Sequence, residues 1–249
     1  MNQPRSTSSL ASPGLGATAA AWLVHAFTAS GAILGFLAMM ALMRDAWGEA
    51  LFWLLVALGV DGIDGFFARL AKVKERAARI DGPTLDLVVD YLNYVFVPTI
   101  FLWRAGLVPE GWIVPLMAMI QLSSLYLFTR TDLKSHDNYF RGFPALWNVV
   151  AFYLFVTGAD PVIGAATVVV FTVLTFAPVH FIHPFRVRDY GRSAPLLATV
   201  WVVSTGALLW PSWSEGVRSV WLAASLGSAA ILLGMGLLRT MRGPRPAAA

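Results

Sequence analysis

The sequence predicts an all-α integral membrane protein with about eight transmembrane helices. Hydrophobic residues make up 57% of the 249 positions and charged residues only 13%, whereas soluble proteins carry about 25% charged residues. The mean hydropathy of the chain is +0.67. The apolar residues also fall in runs close to the roughly 20 residues that a helix needs to cross a bilayer. Composition and patterning therefore agree on the fold class.

Eight apolar runs are candidate spans. They cover residues 20–43, 47–70, 84–104, 111–130, 143–158, 161–183, 194–211 and 216–239. The runs are almost contiguous, so we expect one transmembrane domain over residues 20–240, which holds any catalytic site. Residues 1–19, rich in Ser, Ala, Gly and Pro, are expected to be a flexible tail, and residues 241–249 a C-terminal tail.

The basic residues lie at the ends of the apolar runs. Short cytoplasmic loops are enriched in Lys and Arg. If both termini are cytoplasmic, 15 of the 18 basic residues fall on the cytoplasmic side, and only Arg44, Arg104 and Arg218 fall opposite. This asymmetry predicts an even number of spans. No soluble face concentrates the basic residues, so we expect no nucleic-acid partner. The absence of cysteine excludes disulfides and thiolate metal sites.

Four aspartates in the second and third spans carry the strongest functional signal. Their pattern is Asp61-Gly62-x-Asp64-Gly65-x-x-Ala68-Arg69, twelve further residues, then Gly82-x-x-x-Asp86-x-x-x-Asp90. A carboxylate near the middle of a transmembrane helix costs about 2.5–3.5 kcal/mol on insertion scales. Spacings of three and four residues place each pair on one helix face. We therefore expect a cage of carboxylate oxygens at the cytoplasmic side.

Such a cage suits a hard divalent cation, Mg²⁺ or Mn²⁺, because these ions prefer oxygen ligands. Bound metal ions can in turn clamp a phosphoryl group. The glycines beside the carboxylates leave room for a ligand. Two alternatives remain: the aspartates could cap helix ends, the better interpretation for Asp81, or they could form an ion path in a cation transporter. Transporters more often contain internal repeats, and this motif is not repeated.

The aspartate pattern resembles the signature of the CDP-alcohol phosphotransferases. These membrane enzymes move a phosphoalcohol group from a CDP-alcohol to an acceptor hydroxyl and release CMP. The resemblance implies that Asp61, Asp64 and Asp86 bind the metal and that Asp90 contributes to it and acts as the base. The residues implied to line the nucleotide site are Gly62, Gly65, Ala68, Arg69 and Gly82, to which Arg141 is added from the Phe-Arg-Gly-Phe-Pro segment.

The twelve-residue spacer is longer than the spacer common in that family. Together with the larger number of spans, it resembles the bacterial phosphatidylcholine synthase branch. Segments around His25, Arg141 and His183 are similar to that branch as well, although the wider family commonly has Asn where this chain has His25. This resemblance implies CDP-diacylglycerol and choline as substrates, membrane lipids as surroundings, Mn²⁺ or Mg²⁺ as cofactor, a homodimer, and a bacterial inner membrane. A phosphatidylserine synthase remains the nearest alternative.

Choline is a quaternary ammonium, and proteins usually bind such groups with aromatic faces, each worth about 2 kcal/mol or more when desolvated. Tyr94, Tyr126 and Trp147 are candidate walls of that pocket, and Asn93 is a candidate to orient the acceptor. The alternative for each aromatic residue is membership in the belt at the membrane interface.

Overall fold

A computed structural model describes residues 15–132, 135 and 137–243. The helices are α1 (Leu15–Leu42), α2 (Trp47–Leu70), α3 (Val73–Arg76), α4 (Gly82–Tyr91), α5 (Val97–Arg104), α6 (Ile113–Thr129), α7 (Trp147–Val156), α8 (Pro161–Phe176), α9 (Ser193–Leu208) and α10 (Glu215–Arg242). A π-helical turn (Leu92–Phe96) joins α4 to α5, and a short 3-10 turn (Glu110–Trp112) precedes α6. The predicted all-α membrane class is confirmed.

Five helical segments are long and apolar enough to cross a membrane within the described ranges. They are Gly16–Leu42, Trp47–Leu70, Gly82–Arg104, Glu110–Thr129 and Glu215–Arg242. Three further apolar helices, α7, α8 and α9, are shorter, with 10, 16 and 16 residues. The eight predicted spans therefore correspond to eight apolar helical segments, of which three are shorter than a full crossing.

The predicted bounds of two spans are wrong. Residues 143–146, expected inside a span, are not helical, because Gly142 has a φ of +84° and Phe143 N donates to the Leu174 carbonyl at 3.1 Å. Helix α8 ends at Phe176, not near 183, and the chain then enters strand β2 (His180–Phe181), which pairs antiparallel with β1 (Phe140–Arg141). Hydropathy alone cannot distinguish a buried extended segment from a helix.

The predicted tails are also shorter than expected where the structure describes them. Helix α1 begins at Leu15, so residues 15–19 belong to the first helix and not to a flexible tail. Helix α10 continues to Arg242, two residues beyond the predicted domain end. Residues 1–14 and 244–249, the rest of the two predicted tails, lie outside the described residues.

Cross-helix contacts sort the loops into two groups. In the first group, Arg104 pairs with Asp45 at 2.8 Å, and Arg218 donates to the carbonyl of Val156 at 3.3 Å. In the second group, Tyr139 donates to Asp189 at 2.9 Å, and β1 pairs with β2. The three basic residues predicted to face the outside all belong to the first group of loops.

The π-helical turn after α4 has a clear cause in the sequence. Pro98 has no N–H to donate to the carbonyl four residues earlier, and its ring crowds that carbonyl. The backbone widens just before it, and the Val97 N–H reaches the Leu92 carbonyl. This turn carries Asn93 and Tyr94, both of which line the site described below. Single π-helical turns are frequent at functional sites.

Helix α1 packs closely against α4 because it offers two glycines. A methyl group on Gly31 would lie 2.5 Å from Cγ1 of Val89, and one on Gly35 would lie 2.6 Å from Oδ1 of Asn93. Small residues four apart permit this approach in membrane proteins. The close packing places the polar middle of α1 beside the aspartates of α2 and α4.

Asp81 lies at the N-cap position of α4, but the predicted capping by its side chain is not seen. Its side chain accepts a hydrogen bond from the Thr84 hydroxyl at 2.6 Å and makes no bond to a backbone N–H of the first turn. Asp81 is exposed, so it contrasts with Asp86 and Asp90, which are partly buried one and two turns further along.

We predict that Gly164→Ala destabilises the fold. A methyl group there would overlap the carbonyl oxygen of Leu107, so the loop after α5 must shift. Overpacking of this kind costs about 1–3 kcal/mol. Gly227→Ala on α10 is the matched control, since its added methyl meets open space. Thermal unfolding in detergent, followed by tryptophan fluorescence, should show a lower midpoint for Gly164→Ala only, and equal midpoints would contradict the close packing.

Candidate metal centre

Three of the four aspartates meet where α2 and α4 face each other. One carboxylate oxygen each from Asp61, Asp86 and Asp90 lies within 4.8 Å of the other two. Asp61 lies in the second half of α2, and Asp86 and Asp90 lie on one face of α4. All three side chains are partly buried. The predicted spacing places Asp86 and Asp90 on one face of α4, and the fold brings them together with Asp61 of α2.

Asp64 lies in the same cavity but outside this group of three. It is 6% exposed, and its carboxylate accepts a hydrogen bond of 2.7 Å from the Thr28 hydroxyl on α1. The bond ties the Asp64 side chain to α1, and Asp64 is not part of the group of carboxylates that lie within 4.8 Å of one another. The four-carboxylate cage expected from the sequence is therefore a cluster of three with a fourth carboxylate beside it.

The aspartates line a small open cavity between α1, α2, α4 and the π-helical turn. The lining residues are Thr28, Gly31, Ala57, Val60, Asp61, Asp64, Asp86, Val89, Asp90, Asn93 and Tyr94. Apart from the aspartates, the polar side chains at this cavity are one threonine, one asparagine and one tyrosine. The cavity is thus strongly acidic, with apolar walls.

Two residues of the π-helical turn support the acidic cluster. The Tyr94 hydroxyl donates to Asp61 Oδ2 at 2.6 Å. Asn93 Nδ2 donates to the carbonyls of Gly31 at 3.0 Å and Val89 at 3.1 Å, which ties α4 to α1. Asn93 Oδ1 is buried and has no hydrogen-bond partner among the described residues. Of the predicted choline contacts, these two reach the cavity.

The donor set fits a divalent cation. Three carboxylates converge in a medium of low dielectric, where like charges repel strongly unless a cation balances them. All the candidate ligands are oxygens, as Mg²⁺ and Mn²⁺ prefer. The Tyr94 hydrogen bond to Asp61 is an outer-shell contact of the kind that orients a metal ligand.

Two arginines approach Gly65 from different parts of the chain. A methyl group on Gly65 would lie 3.5 Å from Nη1 of Arg69 and 3.6 Å from Nη2 of Arg186. Arg69 is one turn beyond Gly65 on α2, and Arg186 lies in the loop between β2 and α9. Sequence reasoning assigned a role to Arg69 and Arg141, and it treated Arg186 only as one of several basic residues on that side. The only sequence signal for Arg186 is its place in the His183-Pro184-x-Arg186 segment.

The other glycines predicted to line the site differ in their surroundings. A methyl group on Gly62 would meet nothing within 4 Å, so this face of α2 is open. A methyl group on Gly82 would lie 3.2 Å from the His25 ring, which is itself 5% exposed. The His25 Nε2 atom lies 3.4 Å from the Ala77 carbonyl. His25 therefore packs against the linker between α2 and α4, and Ala68 packs beside that linker on α2.

Three predicted contact residues are not brought to the cavity. Trp147 is fully buried in the apolar core, where its ring contacts Phe143 and its Nε1 donates to Ser124 at 3.0 Å. Tyr126 is 45% exposed and packs against Phe176. Arg141 lies on β1 and pairs with Asp132 at 3.5 Å. Trp147 is thus a core packing residue, Tyr126 lies on the surface of the helix bundle, and Arg141 belongs to a surface ion pair.

The loop that carries Arg186 is held by several contacts. Val187 is 4% exposed, and the Arg186 and Val187 amides both donate to the His183 carbonyl at 3.1 Å. Burial raises the pKa of Tyr139, as does its hydrogen bond to Asp189, so the hydroxyl remains a donor to that carboxylate. Asp137 lies on the same segment as Tyr139. Burial raises the pKa of Asp137, but the hydrogen bonds that its carboxylate accepts from Arg239 and Ser135 outweigh the effect of burial, so its pKa is lowered overall.

The fold and the acidic cavity define a class: a membrane-embedded protein with three carboxylates that could hold a metal ion, beside two arginines. Curated relatives agree with this class. The chain is 44% identical to phosphatidylcholine synthase of Pseudomonas aeruginosa over 226 residues, which cover 90% of this chain and 93% of the relative. It is 34% identical to phosphatidylcholine synthase of Legionella pneumophila over 229 residues, 89% of each chain.

A third relative, phosphatidylcholine synthase of Bradyrhizobium diazoefficiens, is 44% identical over 186 residues, which cover 74% of this chain and 69% of the relative. No protein-family model matches the chain. The chain belongs to the phosphatidylcholine synthase family. This membership favours a transferase of phospholipid biosynthesis over a cation transporter or a phosphatidylserine synthase.

We predict that Tyr94→Phe weakens metal binding about 10-fold, within the 10- to 100-fold range typical of lost outer-shell contacts. The variant keeps the ring but loses the hydrogen bond that orients Asp61. Tyr91→Phe is the matched control, because its hydroxyl bonds Gln121 and its side chain does not line the cavity. Titration of purified protein with Mn²⁺, followed by calorimetry, measures the affinity. Unchanged affinity in Tyr94→Phe would show that Tyr94 does not orient a ligand.

Proposed function

We propose that this enzyme is a phosphatidylcholine synthase that transfers the phosphatidyl group of CDP-diacylglycerol to choline and releases CMP. The observation that carries the proposal is the group of Asp61, Asp86 and Asp90 oxygens within 4.8 Å in a chain of this family. A carboxylate cluster at a membrane helix pair is suited to a cation that neutralises a diphosphate.

The residues that would hold the metal are Asp61, Asp86 and Asp90, with Asp64 beside them. We propose Mn²⁺ or Mg²⁺, since the donor set consists of oxygens only. When bound, the ion supplies charge neutralisation for the diphosphate of the donor. Tyr94 holds Asp61 and Thr28 holds Asp64, so two of the carboxylates are oriented by hydrogen bonds before substrate enters.

Asp90 is the proposed base. A carboxylate has two oxygens, so Asp90 can contribute one to the cluster and accept the hydroxyl proton of choline with the other. The choline oxygen then forms a bond to the phosphorus that carries the diacylglycerol group. The bond from that phosphorus to the bridging oxygen breaks, and CMP leaves with the electron pair. The proton remains on Asp90 until it is released to water.

The donor contacts proposed on α2 and α4 are consistent with the local packing. Gly62 lies on an open face, and Gly65 leaves space in front of the Arg69 guanidinium. Ala68 and Gly82 are small residues on either side of the linker that His25 contacts. Arg141 is not part of the proposal, since it pairs with Asp132.

The acceptor site proposed here is the part of the cavity beside Tyr94 and Asn93. Tyr94 supplies an aromatic ring, and the aspartates supply negative charge that attracts a quaternary ammonium. Asn93 Oδ1 is an acceptor without a partner in the described part of the chain. The relatives support choline as the acceptor. The acidic cavity by itself would also suit other alcohols that carry a positive charge.

We also propose a bacterial inner membrane location with both termini cytoplasmic. The support is the distribution of basic residues, 15 of 18 on one side, which matches the rule for short cytoplasmic loops. This orientation opens the acidic cavity toward the cytoplasm. A homodimer is a further proposal, supported by the resemblance to CDP-alcohol phosphotransferases.

We predict that purified enzyme with CDP-diacylglycerol forms labelled lipid and CMP with choline, but not with serine, inositol or glycerol phosphate. Chelation should abolish the reaction, and Mn²⁺ or Mg²⁺ should restore it. Thin-layer chromatography of lipid and nucleotide products measures both. CMP release with serine in place of choline would favour a phosphatidylserine synthase, and no CMP with any acceptor would refute the phosphotransferase proposal.

We predict that Asp90→Asn lowers kcat roughly 10²- to 10⁴-fold, the usual contribution of a positioned general base. The amide keeps the shape of the side chain but cannot accept the choline proton. Asp81→Asn is the matched control, because it makes the same change at an exposed position at the start of α4, outside the carboxylate cluster. Equal melting temperatures would show that both variants fold, and wild-type turnover in Asp90→Asn would exclude it as the base.

A further inference from the structure

Arg186 is a charged residue beside Gly65 that has no role in the proposed reaction so far. Its Nη2 atom and Arg69 Nη1 lie 3.6 and 3.5 Å from the same point, the position of a methyl group on Gly65. The two nitrogens are therefore no further apart than the sum of these distances, about 7 Å. Neither guanidinium forms an ion pair with a described carboxylate.

The two positively charged guanidiniums beside Gly65 repel each other unless an anion lies between them. A charge-assisted contact from nitrogen to oxygen is about 2.8 Å long. Two such contacts and the width of one phosphate group together cover the distance between the Arg69 and Arg186 nitrogens. Arginine also binds phosphate with two parallel hydrogen bonds, which fixes the orientation of the anion. The geometry therefore fits a bridging phosphate in front of Gly65.

The position of Gly65 connects this pair of arginines to the acidic cluster. Asp61, Gly65 and Arg69 follow each other at intervals of four residues, so they lie along one face of α2. Each interval advances about 6 Å along the helix. A ligand with two linked phosphates can therefore lie along this face, one phosphate toward the carboxylate cluster and the other toward the guanidiniums.

The fold holds Arg186 in place without using its charge. Val187 is buried, and Asp189 accepts a hydrogen bond from Tyr139, the residue directly before β1. Tyr190 donates to the Met235 carbonyl on α10 at 3.3 Å. The pairing of β2 with β1 anchors the chain before Arg186, and these contacts anchor it afterwards. A guanidinium on an anchored loop loses little conformational entropy when it binds an anion.

We propose that Arg186 is a donor-binding residue that grips the diphosphate of the CDP-linked substrate together with Arg69. The proposal rests on the proposed function, because it names a further contact in the same site. A charged hydrogen bond of this kind is worth about a 10- to 100-fold change in affinity. Removal of the Arg186 guanidinium should therefore weaken binding of the CDP-linked donor and leave choline binding unchanged.

The test compares Arg186→Gln, Arg186→Lys and the matched control Arg188→Gln in micelles of uncharged detergent. Arg188 is exposed in the same loop, so its loss changes the net charge equally. We expect Arg186→Gln to lower kcat/KM for CDP-diacylglycerol about 10- to 100-fold, with the KM for choline within about 2-fold. Arg186→Lys should recover part of the loss, and Arg188→Gln should match the wild type.

Three outcomes would overturn the assignment. Arg186→Gln could behave like Arg188→Gln, which would show that the charge at 186 does not contact the donor. The loss could fall on the KM for choline, which would place Arg186 at the acceptor. The loss could also disappear in neutral micelles and occur only in vesicles with phosphatidylglycerol, which would make Arg186 a contact to lipid headgroups.

Failure of the proposed function is a separate result. It would show as a wild-type enzyme that forms no labelled lipid from choline, before any variant is compared. Melting temperatures of the three variants within a few degrees of the wild type would exclude misfolding as the cause of a loss. Should Arg186→Gln misfold, a donor kcat/KM of Arg186→Lys equal to the wild type's would contradict the proposal, since lysine cannot reproduce a two-hydrogen-bond grip.

Discussion

The convergence of carboxylates from α2 and α4 is the constraint on which the rest of the structure depends. Asp61, Asp86 and Asp90 approach within 4.8 Å in an apolar chain, where their mutual repulsion opposes helix packing. The fold counters this with neutral hydrogen bonds, from Tyr94 to Asp61 and from Thr28 to Asp64. A bound cation would remove the remaining repulsion, so binding and folding of this region are coupled.

The helices around the cluster are arranged to keep it together. Gly31 and Gly35 let α1 approach α4, and Asn93 locks that contact by donating to the Gly31 carbonyl. Pro98 follows this contact on the same helical segment, and it favours the wider π-helical turn that carries Asn93 and Tyr94. The proline, the glycines and the asparagine thus act on one contact between α1 and α4, although they are distributed over nearly seventy positions.

Much of this could be predicted from the sequence, because the strongest signals are local. Spacings of three and four residues place Asp61 with Asp64 and Asp86 with Asp90, and hydropathy locates the helices that carry them. The limits of α7 and α8 could not be predicted, since a buried extended segment such as 143–146 is as apolar as a helix. Trp147 shows the same difficulty: an aromatic side chain in a core and one in a ligand pocket have the same local sequence.

The approach of Arg186 to Arg69 could not be predicted at all, because it depends on how a loop more than a hundred residues away folds back over α2. That long-range contact gives the site a direction. On α2, Asp61 of the carboxylate cluster lies one turn before Gly65, beside which both guanidiniums lie. A diphosphate bound along this face would place its lipid-bearing phosphorus near the cation and Asp90, and its nucleotide end near the arginines and the linker. Both phosphates of the donor are anionic, so charge alone admits either orientation along this face. The proposed reaction selects the one that brings the lipid-bearing phosphorus beside Asp90, because Asp90 must take the proton from the choline hydroxyl that attacks that phosphorus.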